Sequence, residues 1–115
     1  MMNVLNRTVV ILRPKFPYAA WANGVDHNAP QYVLDEHRLE GTAYLLPEIQ
    51  YESAKPRILR RYYRSMFEHE LAAWMRDETR WPMRRDWKVF QAWFEVEWRA
   101  IVIDLTPTIL EGEEL

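Results

Sequence analysis

Cysteine is absent from this chain, which therefore has no disulfide, no thiolate nucleophile and no thiolate metal ligand. Glycine is nearly as scarce. Gly24, Gly41 and Gly112 are the only three, and none belongs to a glycine-rich phosphate loop or a dinucleotide fingerprint. Serine occurs only as Ser53 and Ser65, so the Gly-x-Ser-x-Gly elbow of a serine hydrolase is missing. His27, His37 and His69 show no ligand spacing, and no Glu-x-x-His pattern supports a carboxylate di-metal centre. No metal and no cofactor is expected. No apolar run approaches the roughly 18 residues that span a bilayer, and Met1 to Arg7 lacks a basic-then-apolar leader. The expectation is a soluble cytoplasmic protein with no membrane partner.

Aromatic residues are plentiful by contrast. Five of the six tryptophans, Trp74, Trp81, Trp87, Trp93 and Trp98, lie within one stretch together with Phe90 and Phe94, which locates the core there. With 115 residues the chain has the length of one domain that closes a core unaided. A single α+β domain is expected over residues 1–106, followed by an acidic tail over 107–115 carrying Glu111, Glu113 and Glu114. The net charge of −2 disfavours nucleic acid as a general partner, although local basic patches remain.

Thr8-Val9-Val10-Ile11-Leu12 reads as a strand buried on both faces, ended by Arg13-Pro14. A short helix is expected over Tyr18 to Asn23, stopping at Gly24 as a left-handed cap, and Val25 to Gly41 reads as a long connection with one helical turn around Leu34 to Leu39. Thr42 to Leu46 is a second strand. Ser53 serves as N-cap of a long helix running to Trp74 or Met75, and Asp86 as N-cap of a helix carrying Trp87, Phe90, Trp93 and Phe94. Ala100 to Ile103 reads as a buried third strand. The order is β-α-β-α-α-β, a small sheet of about three strands covered by helices.

On a helical wheel Leu59, Tyr63, Met66, Phe67 and Trp74 share one arc, and Glu70 lies in its middle. A lone ionised carboxylate is too costly to bury, so Glu70 must be paired, protonated or hydrogen-bonded. If the next helix continues far enough, Glu97 also turns inward, and a Glu70/Glu97 pair lined by Trp74, Trp93 and His69 becomes a candidate small-ligand or catalytic site. The structural alternative places Glu97 in the last strand and pairs Glu70 with Arg7, Arg13 or Arg99.

Lys55, Arg57, Arg60, Arg61 and Arg64 cover the side of the long helix opposite the apolar arc. Cations in the first half of a helix oppose its macrodipole, so something else must compensate: the acidic tail, or a partner. Trp81, flanked by Arg84 and Arg85, is either a plug over the core or an exposed anchor, because tryptophan and arginine dominate interface hot spots. This arginine and tryptophan surface is the candidate interaction site. It points to a non-catalytic protein-interaction domain that binds a protein partner or a second copy of itself.

Asn6-Arg7, Tyr44-Leu45-Leu46-Pro47-Glu48, Glu70-Leu71 with Trp74, Asp77 followed by Trp81-Pro82, Phe90 with Trp93-Phe94, and Asp104-Leu105 together give the chain a further character. In these residues it resembles a group of small bacterial proteins of unassigned function. The resemblance spans most of the chain, implies a bacterial, single-domain, cytoplasmic protein, and transfers no functional residues.

Overall fold

The computed structural model describes residues 2–115. It is an α+β fold whose elements are β1 (Asn3–Val4), β2 (Arg7–Pro14), α1 (Phe16–Val25), α2 (Leu34–Glu40), β3 (Thr42–Pro47), α3 (Lys55–Trp74), α4 (Trp87–Trp93), β4 (Phe94–Arg99) and β5 (Ile103–Asp104). The main sheet is antiparallel in the order β3-β2-β4, and β1 pairs with β5 as a separate two-stranded ribbon.

β2 is central, yet it is buried on one face only. Thr8, Val10 and Leu12 are fully buried, while Val9, Ile11 and Arg13 on the other face are partly exposed. A two-residue period explains this: helices α1, α3 and α4 cover one side, and α2 caps only one end of the other. The register carries the alternation into the neighbouring strands. Thr42, Tyr44 and Leu46 lie opposite Leu12, Val10 and Thr8, and Phe94, Val96 and Trp98 lie opposite Pro14, Leu12 and Val10, all on the helix side. Phe67 of α3 and Phe90 of α4, both 0% exposed, close the core against Phe94.

Several boundaries differ from the sequence reading. The third strand is not Ala100 to Ile103: β4 occupies Phe94–Arg99, Ile101 is 73% exposed, and only Ile103 joins Asp104 in β5. The chain leaves α4 directly into β4 at Phe94, so the aromatic pair Trp93-Phe94 straddles a helix-to-strand junction. Ser53 is not the N-cap of α3. It sits inside a 3₁₀ turn, Glu52–Ala54, which feeds the helix through Ala54 with no side-chain cap. Helix α1 runs through Gly24 to Val25, and Gly24 has no positive φ. Asp86 does cap α4, its carboxylate accepting from the Val89 N–H at 2.9 Å.

Gly41 is the position where backbone freedom is required. It ends α2 at φ 63°, ψ 179°, a conformation essentially confined to glycine, and its N–H bonds the His37 carbonyl at 3.0 Å. A Cβ here would lie 3.0 Å from Ile11 Cγ2 and 3.2 Å from the Leu12 carbonyl. This close turn delivers Thr42, and with it Tyr44, to the face of the sheet that meets α3. No helix among the described residues is long and apolar enough to cross a membrane.

Candidate functional site

The amphipathic period of α3 turns Glu70 toward β3, and its side chain is 12% exposed. The carboxylate accepts from Thr42 Oγ1 at 3.0 Å and from the Tyr44 hydroxyl at 2.7 Å. Arginine plays no part. Arg13 and Arg99 both bind Glu97, and Arg7 bonds Asn6, so the ion pair expected for Glu70 is replaced by neutral hydroxyl donors. Burial is met by these hydrogen bonds, with His69 Nδ1 standing 3.6 Å from Oε2.

Tyr44 lies between two acceptors, 2.7 Å from Glu70 Oε2 and 2.8 Å from His69 Nδ1. Its single proton serves one of them. When it goes to a Glu70 carboxylate, the His69 Nδ1 must itself carry a proton to donate to the phenol oxygen. Tyr44 keeps its proton because burial, and then the charge and hydrogen bond of Glu70, push its pKa well above the ordinary phenol range.

The other walls come from α1, α2 and the preceding connection. Tyr32 stacks on His37, with ring centroids 3.9 Å apart and planes 6° from parallel, and Trp74 meets Tyr32 edge-on at 5.1 Å. The Trp74 indole N–H donates to the Ala22 carbonyl at 2.9 Å, and the Tyr18 hydroxyl donates to the backbone carbonyl of Glu70. Together they bound a cleft of about 180 Å³. Its titratable lining is Glu40, Glu70, His37 and His69 with Tyr18 and Tyr32, and no lysine or arginine among the described residues reaches it.

Two residues expected here lie elsewhere. Glu97 is a β4 residue opposite Ile11, which places it on the sheet face turned away from α3, whereas Glu70 bonds Thr42 and Tyr44 on the covered face. The Glu70/Glu97 pair is therefore not assembled. Trp93 packs between Tyr18, Trp21 and Phe67 and does not line the cleft. The residues that the sequence reading omitted are Thr42, Tyr44, Tyr32, His37 and Glu40. For Thr42 and Tyr44 a signal existed in the period-two alternation ending at Leu46.

Tyr18 and Tyr32 of the cleft wall, with Tyr44 behind Glu70, have a consequence for alkaline stability. Burial is the first cause raising Tyr18, Tyr32 and Tyr44, followed by neighbouring negative charge that includes Glu70. The folded state holds these protons when the unfolded chain releases them near pH ~10, so the associated stability is full below that pH and is lost as pH rises above it. Urea titrations at increasing pH should show unfolding free energy falling by up to about 1.4 kcal/mol per pH unit for each tyrosine. Tyr44→Phe should remove about a third of that slope. A flat profile would show that the phenols ionise freely in the fold.

A second surface lies on the exposed flank of α3. Arg57, Arg60, Arg61 and Arg64 are all exposed, and none forms an ion pair among the described residues. Arg60 lies 5.6 Å over the Trp87 ring and Arg61 lies 5.7 Å over Tyr62. Arg64, Arg84 and Arg85 line one shallow cleft of about 300 Å³ with Glu68, Asp86 and the 98% exposed Met83. Helix and loop thus form one continuous strip. Lys55 is not part of it: the ammonium binds Glu52 and lies 5.6 Å over Trp98.

Trp81 is a plug. It is half-buried, its indole N–H donates to the Met75 carbonyl at 2.7 Å where α3 ends, and Arg85 lies 5.6 Å over its ring. The acidic tail leaves the arginines uncovered, because residues 107–115 are exposed throughout and form no ion pair. No cluster of three His, Asp or Glu side chains among the described residues is arranged to hold a metal ion. Comparison with family models, with curated proteins and with solved structures finds no match to this chain, so its functional reading rests on these two surfaces.

Proposed function

We propose that this chain is a protein-interaction domain that docks an acidic segment of a partner protein along the arginine flank of α3 and the adjoining 83–87 loop. One observation carries the reading. Arg57, Arg60, Arg61 and Arg64 line the exposed flank of the first half of α3, Arg57 within the first turn where the helix dipole disfavours a cation, and none forms an ion pair among the described residues. The first turn supplies no acid to offset them. Four neighbouring guanidinium groups without an ion-paired carboxylate, of which Arg64 feels the nearby charges of Glu68 and Asp86, fit an external counter-charge, and Arg60 and Arg61 rest over aromatic rings.

Protein is favoured over nucleic acid because Glu68 and Asp86 interrupt the strip and the chain is net negative. Those acids would repel a continuous phosphate backbone, yet a partner segment can present its own spacing of carboxylates and apolar residues around Met83. The test is fluorescence anisotropy with a labelled peptide that mixes glutamate and leucine, run beside a short DNA duplex and a short RNA. The peptide is expected to bind at low salt and to weaken about tenfold or more as ionic strength rises from about 0.05 to about 0.5 M. Absence of peptide binding at low salt, or tighter binding of either nucleic acid, would overturn the proposal.

A further inference from the structure

We infer that the Glu70 cleft is a separate binding site for a small alkylammonium cation. Its chemistry is opposite to that of the arginine strip and stands without it. Beside the imidazoles of His37 and His69, the lining holds the carboxylates of Glu70 and Glu40 and no arginine or lysine among the described residues, so a carboxylate or phosphate ligand would meet two carboxylates without a permanent cationic anchor. A cation meets the reverse. Glu70 is fixed at Oε2 by Thr42 and Tyr44, while Oε1 has only the longer Thr42 contact of 3.3 Å. A carboxylate offers about four acceptor positions, so Oε1 keeps capacity for an ammonium N–H.

The apolar part of such a ligand also finds a complement. Trp74 and Tyr32, with Ala73 at the rim, line the cleft beside the carboxylate and offer an aromatic and aliphatic wall to the alkyl part. Size limits the ligand. About 180 Å³ holds roughly six groups of water size at about 30 Å³ each, so the site takes a short amine or the end of a lysine-like side chain. Tyr44 contributes by remaining a neutral donor to Glu70, which holds the carboxylate in place without neutralising it.

The probe is n-butylammonium chloride, compared with sodium butyrate and 1-butanol at about pH 8, above the ordinary histidine range. The readout is the Trp74 indole N–H resonance in ¹⁵N NMR, backed by amide shifts at Thr42 and Ala73. The amine is expected to bind with a dissociation constant on the order of millimolar, and the two neutral or anionic analogues at least about tenfold more weakly. Glu70→Gln should lower amine affinity about tenfold or more while leaving acidic-peptide binding at the arginine strip unchanged. Ala73→Phe, a substitution at an exposed rim position that fills the cleft without touching Glu70, should also abolish amine binding. Equal binding of butanol or butyrate, undiminished amine binding by folded Glu70→Gln, or amine binding that survives Ala73→Phe would each overturn the inference. Failure of the peptide assay alone would bear only on the arginine strip.

Discussion

Phe67→Ala should lower folding stability by about 3–5 kcal/mol, a large share of the roughly 5–15 kcal/mol typical of a domain. Phe67 is 0% exposed and its ring meets Phe90 at 6.0 Å, Trp93 at 5.6 Å and Phe94 at 5.3 Å, so it joins α3 to α4 and to the first residue of β4. Truncation removes the transfer free energy of the ring and also leaves a cavity. The surrounding rings cannot collapse into it easily, because each is held by other contacts: Phe90 by Tyr63 and Trp87, Trp93 by Tyr18 and Trp21. Phe67→Leu should cost less than half as much, since it keeps most of the volume. Chemical denaturation followed by tryptophan fluorescence measures both. A loss below about 1 kcal/mol for Phe67→Ala would mean that α3 is not packed as described.

Replacing Arg57, Arg60, Arg61 and Arg64 together by glutamine should weaken acidic-peptide binding about a hundredfold or more at low salt. The fold should be nearly indifferent. Removing Arg57 from the first turn of α3 relieves an unfavourable dipole interaction, while Arg60 and Arg61 give up their contacts with the Trp87 and Tyr62 rings. These terms offset, so the melting temperature should stay within a few degrees of the parent. A binding defect accompanied by a large loss of stability would instead make the arginines structural.

The legible part of this fold was local. The β-branched run Thr8 to Leu12, the wheel of α3 from Leu59 to Trp74 and the Asp86 cap each rest on physics within a few residues, and each has its counterpart in the structure. The boundary at Trp93-Phe94 was harder, since Phe90, Trp93 and Phe94 fit a helical arc while Phe94, Val96 and Trp98 fit a strand. Tertiary pairing with β2 decides between them at Phe94. The helical turn expected around Leu34 to Leu39 is present as α2, Leu34–Glu40, whereas the Tyr32–His37 stack lies in a segment without period and depends on packing against Trp74.

The candidate site divides in the same way. The wheel alone placed Glu70 inward, but its partners come from β3, 26 to 28 residues away in sequence, and that pairing requires the tertiary turn at Gly41. Glu97 failed as its companion because one change from helix to strand moved it to the opposite face of the sheet. The arginine flank was readable residue by residue, whereas its joining to the 83–87 loop depends on how α4 packs on α3 through Trp87 and Tyr63.

The most direct test of the account is ¹⁵N NMR of the protein titrated with the glutamate–leucine peptide, observing backbone amides and arginine Nε–H resonances together. The account predicts saturable shifts concentrated on the side chains of Arg57, Arg60, Arg61 and Arg64 and on the amides of Met83 to Trp87, with the Trp74 indole unmoved. Shifts centred on the Glu70 cleft or on the open face of the sheet, with those four arginine resonances unchanged, would contradict it.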